Sequence, residues 1–176
     1  MTITTTAGAP DTTATLAEGT WVLDPARSTV EFHVRHFYGL MTVKGHFDRF
    51  EGTLDLDAQP AVSLTIDAAS VDTKQAKRDK HLRSADFFDV EKTPEVRFVS
   101  ESATLNGDKL AVRGQLHAAG KTIPLAFDAS VRPVADGFDI EASATSDHRA
   151  LGMTWSPLGI MRSPSTLVVH GHLVRK

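Results

Sequence analysis

RDKHLRSADFFDVEKTPEVRFVS, from Arg78 to Ser100, is the segment in which the hydrophobic pattern of the chain changes period. Before Pro94, the charged residues and the Phe87-Phe88 pair follow a period near 3.6, which is typical of a short helix. After Pro94, apolar and charged residues alternate, which is typical of a strand. The rest of the chain shows strand patterns, so we expect this helix to cover one end of a sheet or barrel.

Alternation of apolar and polar residues recurs along the chain and ends at turn signals. Asn106-Gly107 and Asp136-Gly137 are strong hairpin signals. Each strand is apolar on one face and helical crossovers are missing, so the sheet is expected to be antiparallel. A closed barrel leaves no unpaired edge strand. The sequence therefore predicts an all-β fold: an up-and-down antiparallel barrel of about eight strands with a short helical insertion that caps one end.

Two local patterns refine this prediction. Val43–Leu56 is interpreted as one long strand whose inward parity switches near Asp48 and Arg49, which indicates a β-bulge. Asp72 precedes Gln75 at the spacing of a capping motif and is predicted to be the N-cap of the helix.

The composition suits one soluble domain with a hydrophobic core. The 176 residues are 41% hydrophobic and 23% charged, with a formal net charge of −3. A nucleic-acid interface is not expected, because such proteins usually carry a basic face. The absence of cysteine excludes disulfides, thiolate catalysis and Cys-based zinc sites. No apolar run reaches the length of about 18 residues that a transmembrane helix needs.

Residues 1–17 are rich in Thr and Ala and lack the cationic and apolar regions of a secretory signal. They are predicted to form a disordered tail. The barrel domain is predicted to span residues 18–176, and the expected location is the cytoplasm.

The interior of the predicted barrel could be solid or could enclose one small ligand. Its inward positions mix bulky side chains with small ones, such as Gly45, Gly171 and Ala144. A cavity lined this way suits an apolar ligand, since few inward polar groups are available for hydrogen bonds. The inward residues predicted to contact a ligand are Phe32, Val34, Phe47, Leu64, Phe98, Leu116, Phe127, Phe138 and Ala142.

No catalytic or nucleotide-binding motif is present. Asp79 and His81 could form an acid–base pair, but residues two apart do not share a helix face. A structural role is favoured, with His81 and Arg83 contacting nearby carboxylates. His170 and His172 leave the same face of a strand and are expected to point to solvent, so no metal site is predicted.

Longer motifs show a resemblance to the YceI-like family, a lipocalin-like group of polyisoprenoid-binding proteins. The motifs are IDAASVDT at Ile66–Thr73, the Arg78–Ser100 segment, W-x-L-D-P-x-x-S-x-V-x-F-x-V-R-H at Trp21–His36, V-x-G-x-F at Val43–Phe47 and GQLHAAGKTIPL at Gly114–Leu125. The resemblance implies an extended lipocalin-like barrel whose interior holds a long isoprenoid chain, such as a quinone or a polyprenyl lipid. It implies a role in framing the mouth or floor of the pocket for Arg78, Asp79, His81, Leu82, Phe87 and Phe88.

Three further segments bear on the ligand. Arg35, His36 and Lys44 flank a break after the second strand and could receive a polar or anionic head group. Ser146–Gly152 departs from the family pattern, with Leu151 in place of an aromatic residue, so ligand identity or chain length is expected to differ. An apolar patch follows and is interpreted as a lid, a dimer contact or a membrane-docking lip. It comprises Met153, Trp155, Leu158, Ile160 and Met161.

We therefore expect a protein that binds a polyisoprenoid or similar long apolar lipid inside the barrel, for transport, storage or stress response. No enzyme activity and no cofactor besides the bound isoprenoid lipid are expected. The expected partners are that lipid, a second copy in a homodimer with the Trp155 loop as the candidate contact, and a membrane in transient contact. Two alternatives remain. One is an enzyme acting on an isoprenoid-type lipid with His81 or His36 as acid–base, and the other is a solid-barrel stress-response scaffold.

Overall fold

The computed structural model describes residues 16–36, 40–154 and 161–176, and the side chains of His36 and residues 161–163 lie outside that description. The described residues form a sheet of 11 strands and one α-helix. In chain order these are β1 Thr20–Leu23, β2 Thr29–His36, β3 Met41–Phe47, β4 Phe50–Asp55, β5 Ala61–Asp67, β6 Val71–Asp72, α1 Ala76–Arg83, β7 Glu95–Asn106, β8 Lys109–Ala118, β9 Lys121–Val134, β10 Gly137–Ser146 and β11 Met161–Arg175.

Eight of the strands close into a ring in the order β1-β4-β5-β7-β8-β9-β10-β11, and β11 pairs back onto β1. The pairings are antiparallel, which confirms the predicted all-β barrel. The long strand β11 is shared, because Leu173–Arg175 pairs with β1 whereas Met161–His170 pairs with β2. The β2–β3 hairpin therefore extends the ring at one end, where β3 also pairs with the short strand β6.

Alternation along the strands sets which side chains enter the barrel. In β8, Leu110 and Val112 are almost completely buried, whereas the residues between and beside them are exposed. The predicted Asn106-Gly107 turn joins β7 to β8, with Gly107 at φ +63°, a conformation that glycine adopts without a steric penalty. Burial of the inward faces creates one continuous core that runs through the ring.

The helix begins differently from the prediction. Gln75 is the N-cap and makes no side-chain capping bond, and Asp72 belongs to β6 instead. Asp79, in the first turn, accepts hydrogen bonds from Thr73 N–H at 2.9 Å and Thr73 Oγ1 at 2.5 Å. The capping pattern at Asp72 was therefore misleading, because the buried Asp79 carboxylate is the group that ties the helix start to the preceding chain.

The prediction of one bulged strand over Val43–Leu56 is also wrong. The chain turns a corner at Asp48 and Arg49 and forms two strands, β3 and β4. Asp48 N–H donates to the Ser70 carbonyl at 3.2 Å, and Arg49 N–H donates to Ser70 Oγ at 3.0 Å. Both a bulge and a corner between two strands change which alternate residues face inward, so the sequence alone did not distinguish the two.

Residues 1–15 of the predicted tail lie outside the described part of the chain. Leu16, which was assigned to that tail, is buried in the core with 9% exposure. The Ala17 carbonyl accepts a hydrogen bond from the Trp21 indole N–H at 3.2 Å. Leu16 therefore packs into the hydrophobic core of the barrel. Among the described residues, no helix is long and apolar enough to cross a membrane.

His172 is buried, contrary to the expectation that it points to solvent. The segment between β1 and β2 lies against β11 here: Asp24 N–H donates to the His172 carbonyl at 2.8 Å, and His172 N–H donates to Ser28 Oγ at 3.0 Å. The imidazole Nδ1 lies 2.9 Å from Asp139 Oδ1, and Nε2 lies 3.3 Å from Asp136 Oδ1. Strand parity correctly placed this side chain on the outer face, but it did not show that another part of the chain covers that face. His170 remains exposed.

Candidate functional site

Chamber 1 is an apolar cavity of about 70 Å³ inside the ring. Its lining comes from every strand of the ring except β8, and most of these residues are on the inward face of their strand. The two hydroxyl-bearing residues, Thr53 and Ser63, hydrogen-bond to each other at 2.7 Å and so satisfy each other. The lining consists of Leu23, Gly52, Thr53, Leu54, Val62, Ser63, Leu64, Phe98, Leu125, Phe127, Ile140, Ala142, Ala144, Leu167, Val169 and Leu173.

Chamber 2, of about 100 Å³, lies at the end of the ring that the β2–β3 hairpin and α1 extend. The aromatic rings of Phe47 and Phe88 pack edge-on here with centroids 5.8 Å apart. One side of this chamber carries polar groups on β10, β11 and the turn after β10. The lining consists of Phe32, Val34, Phe47, Ile66, Leu82, Phe87, Phe88, Val96, Leu116, Ala118, Ser146, His148, Leu151, Met153, Ser165, Thr166 and Leu167.

The two chambers follow each other along the strands. On β5, Leu64 lines chamber 1 and the next inward residue, Ile66, lines chamber 2. On β7, Phe98 lines chamber 1 and Val96 lines chamber 2. Leu167 on β11 borders both chambers. Neither lining, as far as the described side chains define it, contains Asp, Glu, Lys or Arg. The barrel therefore holds a divided apolar path along its interior.

Most of the predicted ligand contacts lie on this path. Leu64, Phe98, Phe127 and Ala142 line chamber 1. Phe32, Val34, Phe47, Leu82, Phe87, Phe88, Leu116 and Leu151 line chamber 2.

Among the described side chains, four of the predicted site residues border neither chamber: Phe138, Arg78, Asp79 and His81. Phe138 borders neither cavity and packs edge-on against Trp21, with ring centroids 4.4 Å apart at 71°. Trp155 lies outside the described residues, as does the side chain of His36.

The small inward residues create less space than their size suggested. A Cβ at Gly45 would lie 2.4 Å from the Phe32 ring, and one at Gly171 would lie 2.5 Å from Leu23 Cδ2. Neighbouring side chains therefore occupy these positions, whereas Ala142 and Ala144 do border chamber 1. Both chambers are smaller than the roughly 300–1,000 Å³ of a typical ligand pocket.

The charged residues of α1 hold the helix in place and do not line either chamber. Arg78 Nε donates to Thr73 Oγ1 at 2.7 Å, and its Nη2 donates to the Thr73 carbonyl at 2.8 Å. His81 Nε2 lies 2.8 Å from Asp86 Oδ2, as expected for this histidine. Arg83 was also expected to contact a carboxylate, but it donates to the carbonyls of Ala69 and Val71 at 2.8 Å instead. Asp79 is buried and accepts the hydrogen bonds from Thr73. The helix presents Leu82 to chamber 2 from this fixed position.

The sequence did not single out the polar side of chamber 2. His148 is 7% exposed, and its Nδ1 lies 2.8 Å from Ser165 Oγ. Asp147 starts this turn by accepting a hydrogen bond from Arg149 N–H at 2.9 Å. The available signal was weak: His148 precedes Leu151 in a loop that departs from the family pattern, and nothing in strand periodicity reports on a loop.

One exposed cluster has the donor types of a metal site. His46 Nε2 lies 3.0 Å from Asp48 Oδ1 and 3.7 Å from Asp72 Oδ2. Lys74 Nζ already contacts Asp72 Oδ2 at 2.8 Å, and its contact lowers the pKa of Asp72. The resident ammonium would repel a cation, so the cluster is best described as a surface ion-pair network.

The YceI-like domain family model matches residues 21–171. Protein YceI of Escherichia coli O157:H7 is 41% identical over 106 residues, which is 58% of this chain and 55% of that protein. The UPF0312 protein of Serratia proteamaculans shows the same identity and the same coverage. The match to this chain therefore covers about half of the length of these relatives.

Solved structures share the fold. Burkholderia cenocepacia BcnA has a TM-score of 0.78 at 21% identity, covering 88% of this chain and 99% of that one. The Campylobacter jejuni YCEI protein has a TM-score of 0.64 at 25% identity, with 78% and 86% covered. A polyisoprenoid binding domain from Saccharophagus degradans has a TM-score of 0.72 at 13% identity, with 91% and 100% covered.

Proposed function

Because the chain belongs to the YceI-like family, we propose that it binds a polyisoprenoid or similar long apolar lipid inside the barrel, for transport or storage. The observation that carries this proposal is the apolar path of chambers 1 and 2, which meet at Leu167. The Saccharophagus degradans domain with the same fold is named as a polyisoprenoid binding domain, which supports the same ligand class here.

Burial of apolar surface supplies enough free energy for such a ligand. Each isoprene unit has about five carbons, and burying it contributes up to about 4 kcal/mol at roughly 0.8 kcal/mol per carbon group. Larger ligands gain only about 0.3 kcal/mol per heavy atom, so a tail of about 40 atoms would gain about 12 kcal/mol. The tail would therefore determine affinity with little help from the head group.

The size of the chambers limits how a long tail enters. With volumes of about 70 and 100 Å³, the two cavities hold only a few carbon atoms each as they stand. A long tail requires Phe98 and Leu167, which separate the chambers, to adopt other rotamers. Binding then includes the free energy of this rearrangement, which lowers the net affinity below the burial value.

The polar side of chamber 2 sets the orientation. Chamber 2 carries more polar side chains than chamber 1, namely Ser146, His148, Ser165 and Thr166 against Thr53 and Ser63. His148 and Ser165 contact each other, as Thr53 and Ser63 do, so a head group in chamber 2 would exchange that hydrogen bond for its own. We therefore place the head group in chamber 2 and the end of the tail in chamber 1. This orientation requires a prenylated quinone to bind more tightly than a hydrocarbon of equal length, and equal affinities would contradict it.

The scaffold alternative has one observation in its favour, the small volume of both chambers. The enzyme alternative has less support, because His81 lies outside both linings and contacts Asp86. We therefore propose a binding function without catalysis.

Organic extraction of the natively purified protein, followed by mass spectrometry, tests this proposal. A stoichiometric ion with isoprene-spaced fragments would support it and would name the ligand. A stoichiometric ligand without an apolar chain would contradict it.

A further inference from the structure

The β2–β3 hairpin has an exposed apolar tip. Leu40 is 87% exposed and Met41 is 58% exposed. Among the side chains that the structure describes, the other large hydrophobic residue in the exposed class is Val99, at 36%. Two adjacent exposed hydrophobic side chains at the end of a hairpin indicate a contact surface.

Unpaired cations lie just behind this tip. Arg35 and Lys44 are exposed, and neither pairs with a carboxylate among the described side chains. Residues 32–47 contain no Asp or Glu. Two exposed cations with no carboxylate partner of their own attract an anion.

The tip stands next to chamber 2. Val34 lines this chamber and pairs with Val43 on β3 and Ser165 on β11. Met41 pairs with His36, two residues farther along the hairpin. Because a strand rises about 3.3 Å per residue, Met41 lies about 7 Å beyond the Val34 level. Any surface that contacts the tip would therefore lie close to the end of chamber 2.

We propose that Arg35, Leu40, Met41 and Lys44 form a docking lip that binds the surface of a bilayer containing anionic phospholipid. Leu40 and Met41 insert at the boundary between head groups and acyl chains, while the two cations contact lipid phosphates. Docking places chamber 2 beside the reservoir of apolar lipid. The purpose of docking rests on the proposed function, but the docking itself requires no ligand in the barrel.

Co-sedimentation with vesicles tests the docking lip. Delipidated protein is mixed with vesicles of phosphatidylcholine alone or with phosphatidylglycerol at about one lipid in three, and neither contains an isoprenoid. We expect binding to the anionic vesicles and a loss of binding as salt is raised, because exposed charges are screened. Equal binding to both compositions, or no binding to either, would overturn the proposal. Neither result depends on isoprenoid binding inside the barrel.

The charge variant Arg35→Gln/Lys44→Gln should weaken binding to anionic vesicles by about 25-fold, at about fivefold per cation. Its matched control is Lys109→Gln/Arg113→Gln on β8, which is separated from β2 by three strands, β9, β10 and β11. The control removes the same charge and should retain most of the binding. Equal losses in both variants would mean that net charge alone is responsible, which would contradict a defined lip.

The apolar variant Leu40→Ser/Met41→Ser should weaken vesicle binding by about tenfold, whereas Val99→Ser should not. The four lip residues, Arg35, Leu40, Met41 and Lys44, are exposed, so unchanged thermal unfolding would verify that the variants fold. If wild-type protein instead forms a dimer that Leu40→Ser/Met41→Ser dissociates, and vesicles do not compete with that dimer, the tip is a self-association surface and the proposal is wrong.

Discussion

Phe98 and Phe127 pack with ring centroids 5.3 Å apart at an interplanar angle of 58°, and both line chamber 1. The residue two positions before Phe98 on the same face of β7, Val96, lines chamber 2. Phe98 thus lies at the level where the apolar interior changes from one chamber to the other. Access of a long tail to the whole barrel depends on this level, which suggests direct tests.

Filling chamber 1 should weaken tail binding. Ala142→Phe adds a ring at a chamber-lining position, whereas Ser143→Phe adds the same ring at the exposed position beside it. Displacing about two carbon groups of the ligand costs about 1.6 kcal/mol, so we expect about tenfold weaker binding of a prenylated quinone for Ala142→Phe. Fluorescence titration measures both variants. Equal affinities for the two would place the tail outside chamber 1.

Joining the chambers should change chain-length preference. Leu167→Ala removes the side chain that borders both cavities, so long isoprenoids should gain about tenfold relative to short ones. The same change should lower the unfolding free energy by about 2 kcal/mol, the low end for a Leu-to-Ala change, because Leu167 is only half-buried.

Leu110→Ala is the matched control for this experiment, since Leu110 is fully buried on β8 and borders neither chamber. It should destabilise the protein by about 2–5 kcal/mol without changing chain-length preference. The account of a divided path would be wrong if the two variants shifted the preference alike in a titration with isoprenoids of graded length.

The buried carboxylate of Asp79 should matter more for stability than the exposed Asp86. Asp79→Ala leaves Thr73 N–H and Oγ1 without their acceptor, at a cost of about 3 kcal/mol. Asp86→Ala removes a surface contact with His81 and should cost less than about 1 kcal/mol. Urea unfolding measures both. A small effect of Asp79→Ala would show that the helix is held in place by its apolar contacts alone.

Acid stability should depend on Asp139. Hydrogen bonds from His172 and from Arg132 hold the pKa of Asp139 below the usual 3.8. Because the folded-state pKa is the lower one, the unfolded chain takes up the proton first as pH falls. This stabilisation is complete above about pH 4 and is lost as pH falls through the folded pKa.

Urea unfolding between about pH 5 and about pH 3 measures this contribution. Asp139→Asn should show a shallower loss of stability with acid than wild type. Asp128→Asn, which changes an exposed carboxylate on β9, should follow the wild-type slope. Parallel slopes for wild type and Asp139→Asn would contradict the assignment.

The sequence predicted which side chains face inward, because alternation along a strand directly reports its two faces. Phe32 and Phe98 follow from that rule, and both line a chamber. Alternation did not report how far opposite strands approach each other. The space expected beside Gly45 is therefore occupied by the Phe32 ring.

Features that depend on distant parts of the chain were the ones missed. His172 is buried beside Asp139 and the segment that contains Asp24 and Ser28, and that segment lies far from it in sequence. His148 reaches chamber 2 from a 3-10 turn, where no hydrophobic period exists to indicate its direction. Tertiary contacts of this kind have no signature in a local window of sequence.

Titration of delipidated protein with a long-tailed quinone tests the central claim most directly. Intrinsic fluorescence is a suitable readout, because Trp21 and the aromatic residues of the barrel lie close to its interior. The account predicts saturable binding of one quinone per chain, with a dissociation constant of about 1 μM or lower. Absence of binding at about 100 μM quinone, with the protein folded, would contradict it and would favour a solid barrel.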